Sequence, residues 1–285
     1  MSSARTASGV HGATRGLFTT VLNWGLGRQE RTRAWLARLR DPVRGPTGPP
    51  PAGARPMASL VVLNWKRPDN VRRILDRYVT CPAIDDLIVW NNNPEASFAY
   101  AHRNVRCINS DEFGLNTRWA ACLLAKHACV LVHDDDLVCD LATIGRLVEY
   151  HRRAPDRAYT LHGRNPTRSN EYADKVDHVR EPTECDMHLT RVTCVSRRWV
   201  PRYFDALAEM GLEIDPARGG GEDIVFSYAA RAATGHRPVV VPGHYEDLIA
   251  RHAQANRAGA QAAERTRIMR ACQRWLEREH VEHAS

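Results

Sequence analysis

No apolar segment of this 285-residue sequence reaches the roughly 18 residues that a membrane-spanning helix requires. The mildly apolar stretch at 16–27 is short, is interrupted by Asn23, Gly25 and Gly27, and is followed by no convincing secretory cleavage site. We therefore expect a cytoplasmic protein, with the inner face of the membrane as an alternative location.

Paired cysteine motifs are also missing. Eight cysteines lie at positions 81, 107, 122, 129, 139, 185, 194 and 272, without a Cys-x-x-Cys pair or a zinc-finger spacing. Several fall inside apolar runs, where a thiol behaves as a small apolar side chain. This pattern predicts free, buried thiols and fits a reducing compartment.

A basic surface for nucleic acid is missing as well. The formal net charge is +7, but residues 1–57 hold nine arginines against Glu30 and Asp41, which accounts for all of it. In residues 58–285 the basic and acidic residues balance, and lysine and arginine do not cluster with aromatic residues. We therefore exclude nucleic acid as a partner.

The sequence divides at a linker rich in proline and glycine, 41–57, which can form neither a helix nor a central strand. We predict an extension at 1–57 and a folded domain at 58–285. Within 14–40, apolar residues such as Phe18 and Trp35 recur at helical spacing beside several arginines. This pattern indicates a basic amphipathic helix in contact with anionic lipid or a partner. The alternatives are a disordered extension or an upstream start site.

From residue 59 onwards, apolar strand patterns alternate with helical patterns, which is typical of an α/β domain with a largely parallel sheet. The predicted strands are 59–64, 86–91, 104–108, 129–133, 158–161, 189–195 and 238–241, and the predicted helices are 68–79, 115–127, 141–152, 222–234 and 260–279. The polar regions 163–187 and 211–221 read as active-site loops.

Polar clusters follow three of these strands, at 64–67, 91–93 and 134–136. In an open α/β sheet, ligands bind beyond the carboxyl ends of the strands, so these clusters predict one shared site.

The acidic run Asp134, Asp135 and Asp136 is the strongest of the three signals, because adjacent carboxylates repel each other unless a cation offsets their charge. Hard oxygen ligands suit Mn²⁺ or Mg²⁺, which proteins commonly hold together with nucleotide phosphates. The alternative is structural, since aspartate is common in turns and Asp136 or Asp140 could cap the next helix.

A second acidic pair, Glu222 and Asp223, follows the glycine run 219–221. These acids could act on the acceptor or stabilise a transition state, or they could simply complement a helix dipole. His244 follows an apolar strand and is a candidate nitrogen ligand for the metal ion. His133, which precedes the acidic run, is predicted to be a buried strand residue.

Together these pieces resemble the metal-dependent glycosyltransferases of GT-A fold, and most nearly the exostosin-like family of retaining hexosaminyltransferases. The resemblance covers about 59–247, and it depends on the order and spacing of five segments: 64–67, 88–92, 116–118, 134–136 and 222–224. It implies a GT-A-like, mixed and mostly parallel sheet flanked by helices.

The resemblance also implies roles for individual residues. Arg67 and Asn91 would contact the uracil or the ribose, and Asn92, Asn116 and Asp135 would belong to the same donor-nucleotide site. Arg118 would neutralise the diphosphate.

On the metal side, Asp134 would face the ribose, and Asp136 would ligate Mn²⁺ or Mg²⁺ with Asp134 nearby. Asp223 would lie nearest the anomeric carbon, beside Glu222.

The sequence therefore predicts transfer of a hexose or an N-acetylhexosamine from a nucleotide diphosphate donor, a UDP-sugar, to a glycan, lipid or small-molecule hydroxyl. One alternative is an inverting GT-A enzyme with Asp223 as general base. Another is a non-catalytic module that binds sugar nucleotides. A nucleotidyltransferase is disfavoured, because no glycine-rich phosphate loop follows the first strand.

Overall fold

The computed structural model of the protein describes residues 57–111, 114–214, 220–248 and 258–282. The predicted extension, with its helix at 14–40, lies outside these residues apart from Met57.

The described strands are, in chain order, β1 (Ala58–Asn64), β2 (Ile84–Asn91), β3 (Val105–Asn109), β4 (Cys129–His133), β5 (Leu137–Cys139), β6 (Tyr159–Thr160), β7 (His162–Pro166), β8 (Tyr172–Asp177), β9 (Thr183–Glu184), β10 (Met187–His188), β11 (Val192–Ser196), β12 (Val239–Val240) and β13 (Tyr245–Asp247). The described α-helices are α1 (Pro68–Tyr78), α2 (Thr117–Leu123), α3 (Leu141–Arg153), α4 (Val200–Met210), α5 (Glu222–Thr234) and α6 (Ala258–Glu282).

Eight strands form one mixed sheet in the order β3-β2-β1-β4-β11-β6-β12-β9. The first four strands are parallel, and β11 pairs with β4 in the antiparallel direction. The predicted α/β class, with a mixed and mostly parallel sheet, is confirmed. Because β1, β2 and β4 are parallel neighbours, their carboxyl ends meet along one margin of the sheet, which we call the acidic edge.

The central strand β4 shows how the sheet is buried on both faces. Leu131 packs into one apolar cluster, while Val130 and Val132 pack into the other. Successive side chains of a strand point to opposite faces, so a strand covered on both sides is apolar at nearly every position. This burial explains why β4 is followed so abruptly by charge at the acidic edge.

Each helix contributes an apolar stripe to these clusters. In α1, Val71, Ile74, Leu75 and Tyr78 are buried, at the three- and four-residue spacing of one helix face. Pro68 lies in the first turn, where the missing amide hydrogen costs nothing. Among the described residues, no helix has both the length and the apolar character needed to cross a membrane.

Several elements differ from the sequence-based expectation. The predicted active-site loop 163–187 contains the β7–β8 hairpin, and β10 pairs with β7 to complete a three-stranded sheet. Helix α4 was not predicted, although it ends at Gly211 with φ of +59°, a common helix stop. The helix predicted at 115–127 is shorter, and α2 ends at Leu123.

One buried charge anchors the parallel part of the sheet at the end opposite the acidic edge. The carboxylate of Asp86 accepts hydrogen bonds from Ser59 Oγ at 2.6 Å, Lys126 N at 2.8 Å and Arg106 Nη2 at 2.7 Å. Burial alone would raise the pKa of Asp86, but these donors outweigh it and the pKa is lowered.

We expect Asp86→Asn to lower the free energy of unfolding at pH 7 by about 2 kcal/mol, the scale of a hydrogen bond to a charged group. A lowered folded-state pKa stabilises the protein above the unfolded-state pKa of about 4, and this contribution is lost as pH falls through the folded-state value. Urea unfolding between pH 3 and 7 tests this, with exposed Asp174→Asn as control. An unchanged pH dependence in Asp86→Asn would contradict the assignment.

Candidate active site

The three aspartates that follow β4 each meet a different arrangement of arginines. Arg118 Nη1 lies 2.8 Å from Asp134 Oδ1. Arg67 Nη1 lies 2.8 Å from Asp135 Oδ1 and 3.7 Å from Asp136 Oδ2. Arginine side chains of the protein therefore offset part of the negative charge of this acidic run.

A hydrogen-bonded turn holds the run in place. Asp134 N donates to the carbonyl of Arg191 at 2.9 Å, as expected where β4 leaves its antiparallel partner β11. His133 is buried, as predicted, and its Nδ1 lies 2.6 Å from the carbonyl oxygen of Asp134. Its Nε2 lies 3.0 Å from Tyr78 Oη, which accepts a hydrogen bond from Cys139 N. Burial lowers the pKa of His133 to about 4, so the ring is neutral and fixes the turn by hydrogen bonding.

Asp136 is the least neutralised member of the run. Its Oδ1 is buried without a hydrogen-bond partner, and its nearest cations, Arg67 and Arg191, are 3.7 and 3.9 Å away. Burial and the nearby Asp134 raise the pKa of Asp136. A hard divalent cation would satisfy both the unpaired lone pairs of Oδ1 and the charge, so the donor set fits Mn²⁺ or Mg²⁺ at this position.

The other two aspartates titrate in opposite directions. Burial raises the pKa of Asp135 to about 7, although Arg67 opposes this effect. For Asp134, burial also acts to raise the pKa, but the charge and hydrogen bond of Arg118 outweigh it and the pKa is lowered. Asp134 is therefore ionised at neutral pH, and its partner is Arg118.

The protein alone does not close a cage of metal ligands here. Within the described ranges, no three histidine, cysteine or acidic side chains converge around the acidic run. Mg²⁺ and related ions are often held by one or two carboxylates plus the phosphates of a substrate. The arrangement is thus an open site that a phosphate-bearing ligand would complete.

Glu222 and Asp223 form the first turn of α5 and are buried. The two preceding glycines have φ of +77° at Gly220 and +125° at Gly221, where other residues are strained. A Cβ at Gly221 would also come within 2.6 Å of Ile268 Cδ1 on α6. Glycine is therefore required here so that the chain can deliver both acids to the interior.

Arg118 connects the two acidic groups. Its guanidinium is 5% exposed, contacts Asp134 through Nη1, and places Nε 3.6 Å from Glu222 Oε1. Burial and the neighbouring Glu222 raise the pKa of Asp223 to about 7. The site therefore contains Asp134, whose pKa is lowered, on the β4 side and Asp223, whose pKa is raised to about 7, on the α5 side.

Some residues at the site were not predicted from the sequence. Arg191 forms ion pairs with Asp136 and with Asp247 at the end of β13. Arg265 on α6 is mostly buried, and its charge interacts with Asp223 and Tyr172. No local motif marks these arginines, because the pairing of β11 with β4 and the packing of α6 are long-range events.

The predicted asparagines have more structural roles than expected. Asn91 lies in a network of amide groups: its Oδ1 accepts from Asn64 at 2.7 Å, and its Nδ2 donates to Ala96 O and Asn109 Oδ1 at 2.8 Å each. This network positions the ends of β1, β2 and β3, and the contact of Asn91 with the uracil or the ribose stays a prediction.

Asn92 and Asn116 lie at the same margin. Asn92 is buried, with an Oδ1 that has no hydrogen-bond partner, so it retains capacity for a ligand. Asn116 occupies the N-cap position of α2, but its side chain does not bond to the helix. Its Oδ1 instead accepts a hydrogen bond from Tyr203 Oη at 2.5 Å. Its side chain is therefore tied to α4.

His244 does not lie at the acidic run, contrary to the expectation that it ligates the metal. The antiparallel pairing of β13 with β5 sets Asp247 opposite Leu137 and Tyr245 opposite Cys139, so His244 falls beside Asp140. Its backbone bonds to Asp140 and Thr143 there, and the residue is exposed. The register instead brings Asp247 next to Asp136.

The sequence of residues 58–283 matches the model of the glycosyl transferase family 64 domain. The chain belongs to this family. The match includes both acidic groups of the site and every described element of the sheet. A comparison with curated protein sequences gives no match.

Two solved structures are similar to this family 64 chain, and the one with the higher TM-score supports the fold assignment. A crystal structure of GalNAc-T7 with UDP, GalNAc and Mn²⁺ is similar with a TM-score of 0.54 and 12% identity, over 76% of this chain and 48% of that one. The present chain thus spans about half of that protein's length. The mannosyltransferase PcManGT from Pyrobaculum calidifontis, in complex with GDP-Man and Mn²⁺, gives a TM-score of 0.46 and 13% identity, over 88% and 71% of the two chains. The likeness to GalNAc-T7 shows that the fold is GT-A-like.

The raised pKa of Asp223 predicts that its ionised form lowers the free energy of unfolding above neutral pH. A carboxyl whose folded-state pKa is raised contributes stability below its unfolded-state pKa of about 4, and that contribution is lost as pH rises through the folded-state value of about 7. We expect Asp223→Asn to unfold at a higher temperature than the wild type at pH 8, and at nearly the same temperature at pH 4.5. Thermal unfolding of metal-free protein at both pH values tests this. An equal difference at both values would refute it.

Proposed function

We propose that this family 64 chain transfers a hexose or an N-acetylhexosamine from a UDP-sugar to a hydroxyl acceptor, with a divalent metal ion held by Asp136 and Asp134. The observation that carries this proposal is the pair of acidic groups at one edge of the sheet, linked by the buried guanidinium of Arg118. Among known subfamilies, we propose the exostosin-like retaining hexosaminyltransferases as the nearest.

On the donor side, the partly exposed cations are the groups suited to a diphosphate. Arg67 and Arg191 are 13% and 27% exposed, whereas Arg118 is buried between Asp134 and Glu222. We therefore assign phosphate contact mainly to Arg67 and Arg191, and we assign Arg118 to holding the two acidic groups at a fixed separation. Bound Mn²⁺ or Mg²⁺ would act as a Lewis acid that stabilises the departing diphosphate.

On the acceptor side, Asp223 is the residue whose pKa best suits a catalytic acid or base. In the reaction, the bond between the anomeric carbon and the phosphate oxygen breaks, and its electron pair leaves with the diphosphate. The acceptor oxygen forms the new bond and loses its proton. A carboxyl group with a pKa of about 7 is well matched to proton transfer near neutral pH.

The stereochemical outcome depends on where that proton goes. If Asp223 accepts it, attack comes from the face opposite the diphosphate and the anomeric configuration inverts. If the departing diphosphate accepts it, the attack is on the same face and the configuration is retained, with Asp223 and Glu222 stabilising the positive charge on the sugar. We propose the retaining course, and NMR of the anomeric proton in the product decides between the two.

The acceptor, a glycan, a lipid or a small molecule, would approach from the side of the β7–β8 hairpin and β9. Tyr172 on this hairpin interacts electrostatically with Asp223, and the guanidinium of Arg164 lies 5.6 Å from the centre of the Tyr172 ring. Glu184 on β9 pairs with Arg157. We propose that these elements shape the acceptor site.

The first test incubates the full chain with Mn²⁺ and a panel of UDP- and GDP-sugars and follows nucleoside diphosphate release. We expect one UDP-sugar to be turned over in a metal-dependent manner. Asp136→Asn should reduce that activity to background and weaken Mn²⁺-dependent UDP binding, because it replaces the least neutralised carboxylate of the run with a neutral amide.

The matched control is Asp140→Asn, four residues further along the chain. Asp140 caps α3 by accepting a hydrogen bond from Thr143 N at 2.6 Å, and asparagine caps helices equally well. This variant should retain activity. Full activity of Asp136→Asn, or tight UDP binding without turnover of any donor by the wild type, would overturn the proposed metal site or the proposed activity, respectively.

A second test uses Asp223→Asn, the variant expected to be the more stable one above pH 7. We expect unchanged UDP binding and a turnover number lower by about a hundredfold or more, the usual scale for a positioned acid or base. Because the variant is not destabilised, lost turnover cannot be attributed to unfolding. Isothermal titration with UDP and Mn²⁺, together with initial rates, measures both effects, and retained turnover would exclude a catalytic role for Asp223.

A further inference from the structure

A second cluster of metal-ligating side chains lies at the other end of β4, on the amino-terminal side of the acidic edge. It consists of Cys129, Cys194 and His151, which are all buried, and one ligand atom from each lies within 4.8 Å of the others. The two sulfur atoms are 3.0 Å apart. Within the part of the chain that the structure describes, this is the one group of three histidine, cysteine or acidic side chains gathered so closely.

The strand pairing builds this cluster. In the antiparallel register of β4 and β11, Cys129 lies opposite Ser196 and Cys194 lies opposite Leu131. Both cysteines face the apolar cluster that α3 covers, and α3 supplies His151. The ligands therefore come from three elements that are rigid parts of the core.

The hydrogen bonds of Ser196 determine the tautomer of His151. Ser196 Oγ donates its proton to Pro155 O at 2.5 Å, so its oxygen accepts a hydrogen bond from His151 Nε2 at 2.8 Å. This arrangement fixes the proton on Nε2 and leaves a lone pair on Nδ1. Metal-binding histidines commonly donate their second ring nitrogen to an oxygen in this way, which sets both tautomer and ring orientation.

Hydrogen bonding alone offers little reason for this cluster. Thiols are weak donors and weak acceptors, so two buried thiols beside an imidazole gain little from one another. A disulfide is also a poor fit, because diagonal neighbours across a strand pair have Cα atoms roughly 7–8 Å apart. Disulfides usually require about 4.4–6.8 Å. A disulfide would, in addition, leave His151 without a role at the sulfur atoms.

A metal ion uses all three groups. Two sulfur–metal bonds of about 2.3 Å span a longer separation than one sulfur–sulfur bond, and thiolate with imidazole is the donor set that selects Zn²⁺ over the hard cations. We propose that Cys129, Cys194 and His151 bind one thiophilic metal ion, Zn²⁺, as a structural site independent of the acidic edge. On binding, the two thiols release two protons and become thiolates, and the ion enters as the chain folds.

The test measures metal at the thiols rather than enzyme activity. The full chain, refolded with Zn²⁺ and dialysed, should contain about one tightly held Zn²⁺ per molecule, as structural zinc sites do. Refolding with Co²⁺ instead should give a thiolate-to-cobalt charge-transfer band in the near ultraviolet. Oxygen ligands at the acidic edge cannot produce such a band, so Asp136→Asn should leave it unchanged.

Cys129→Ser and Cys194→Ser should each abolish the band and the bound Zn²⁺. The matched control is Cys122→Ser, which changes a buried cysteine in the opposite apolar cluster and should leave both unchanged. If the serine variants do not fold, the wild type still decides the question through its zinc content and through a fall in its unfolding temperature when a strong chelator is present.

Two results with the wild type would overturn the proposal: refolded protein without bound Zn²⁺, or a cobalt complex without the thiolate band. A third would be a disulfide between Cys129 and Cys194 that forms when the protein is exposed to an oxidant in the presence of Zn²⁺. None of these results bears on the proposed glycosyltransfer, whose metal ligands are oxygen atoms on another margin of the sheet.

Discussion

The buried ion pairs of Arg118 are the interaction on which the candidate active site depends. A guanidinium taken out of water needs opposite charge and hydrogen bonds. Here Asp134 supplies both, and Glu222, 3.6 Å from Nε, supplies opposite charge without a hydrogen bond. The first acid ends a central strand and the second begins a helix that is 88 residues later in the chain. Arg118 therefore fixes the distance between the donor side and the acceptor side of the site, through a guanidinium that is itself buried.

The remaining charges follow from this arrangement. Asp134 is paired with Arg118, and the other two carboxyl groups of the run, those of Asp135 and Asp136, have pKa values that burial raises. Arg67 compensates Asp135, and Asp136 keeps an oxygen without a hydrogen bond. A site left incomplete in this way favours a ligand that brings its own cation and phosphates. Because the phosphates of such a ligand would also bind the cation, the chain does not need to surround the metal ion with protein ligands alone.

Strand β4 separates two kinds of chemistry by its direction. Its carboxyl end opens onto hard oxygen donors beside solvent, and its amino end lies among soft sulfur donors in the core. Hard and soft donors select different ions, so the two ends of a five-residue strand could bind different metals without competition. The inner location of the thiols favours a structural role, whereas the partly exposed acidic edge favours exchange of ligands.

Much of the fold was predictable because its signals are local. Strand β4 and helix α5 have the predicted bounds, since an apolar run ending in three aspartates and a glycine run entering a helix are unambiguous patterns. The short strands between residues 162 and 188 were not predicted. Most residues of β8 and β9 are polar and exposed, and β10 has only two residues, so periodicity is weak and pairing partners stabilise these strands instead.

The sequence by itself determined which residue types end the parallel strands, and hence that carboxylates, amides and arginines gather at one edge. Only the tertiary structure decided how these groups pair. It engaged Asn91 in the backbone scaffold, moved His244 away from the acidic run, and brought Arg191 and Asp247 next to Asp136. The physical reason is that a side chain's chemistry is local, whereas its burial and its partner depend on strand register and helix packing between distant segments.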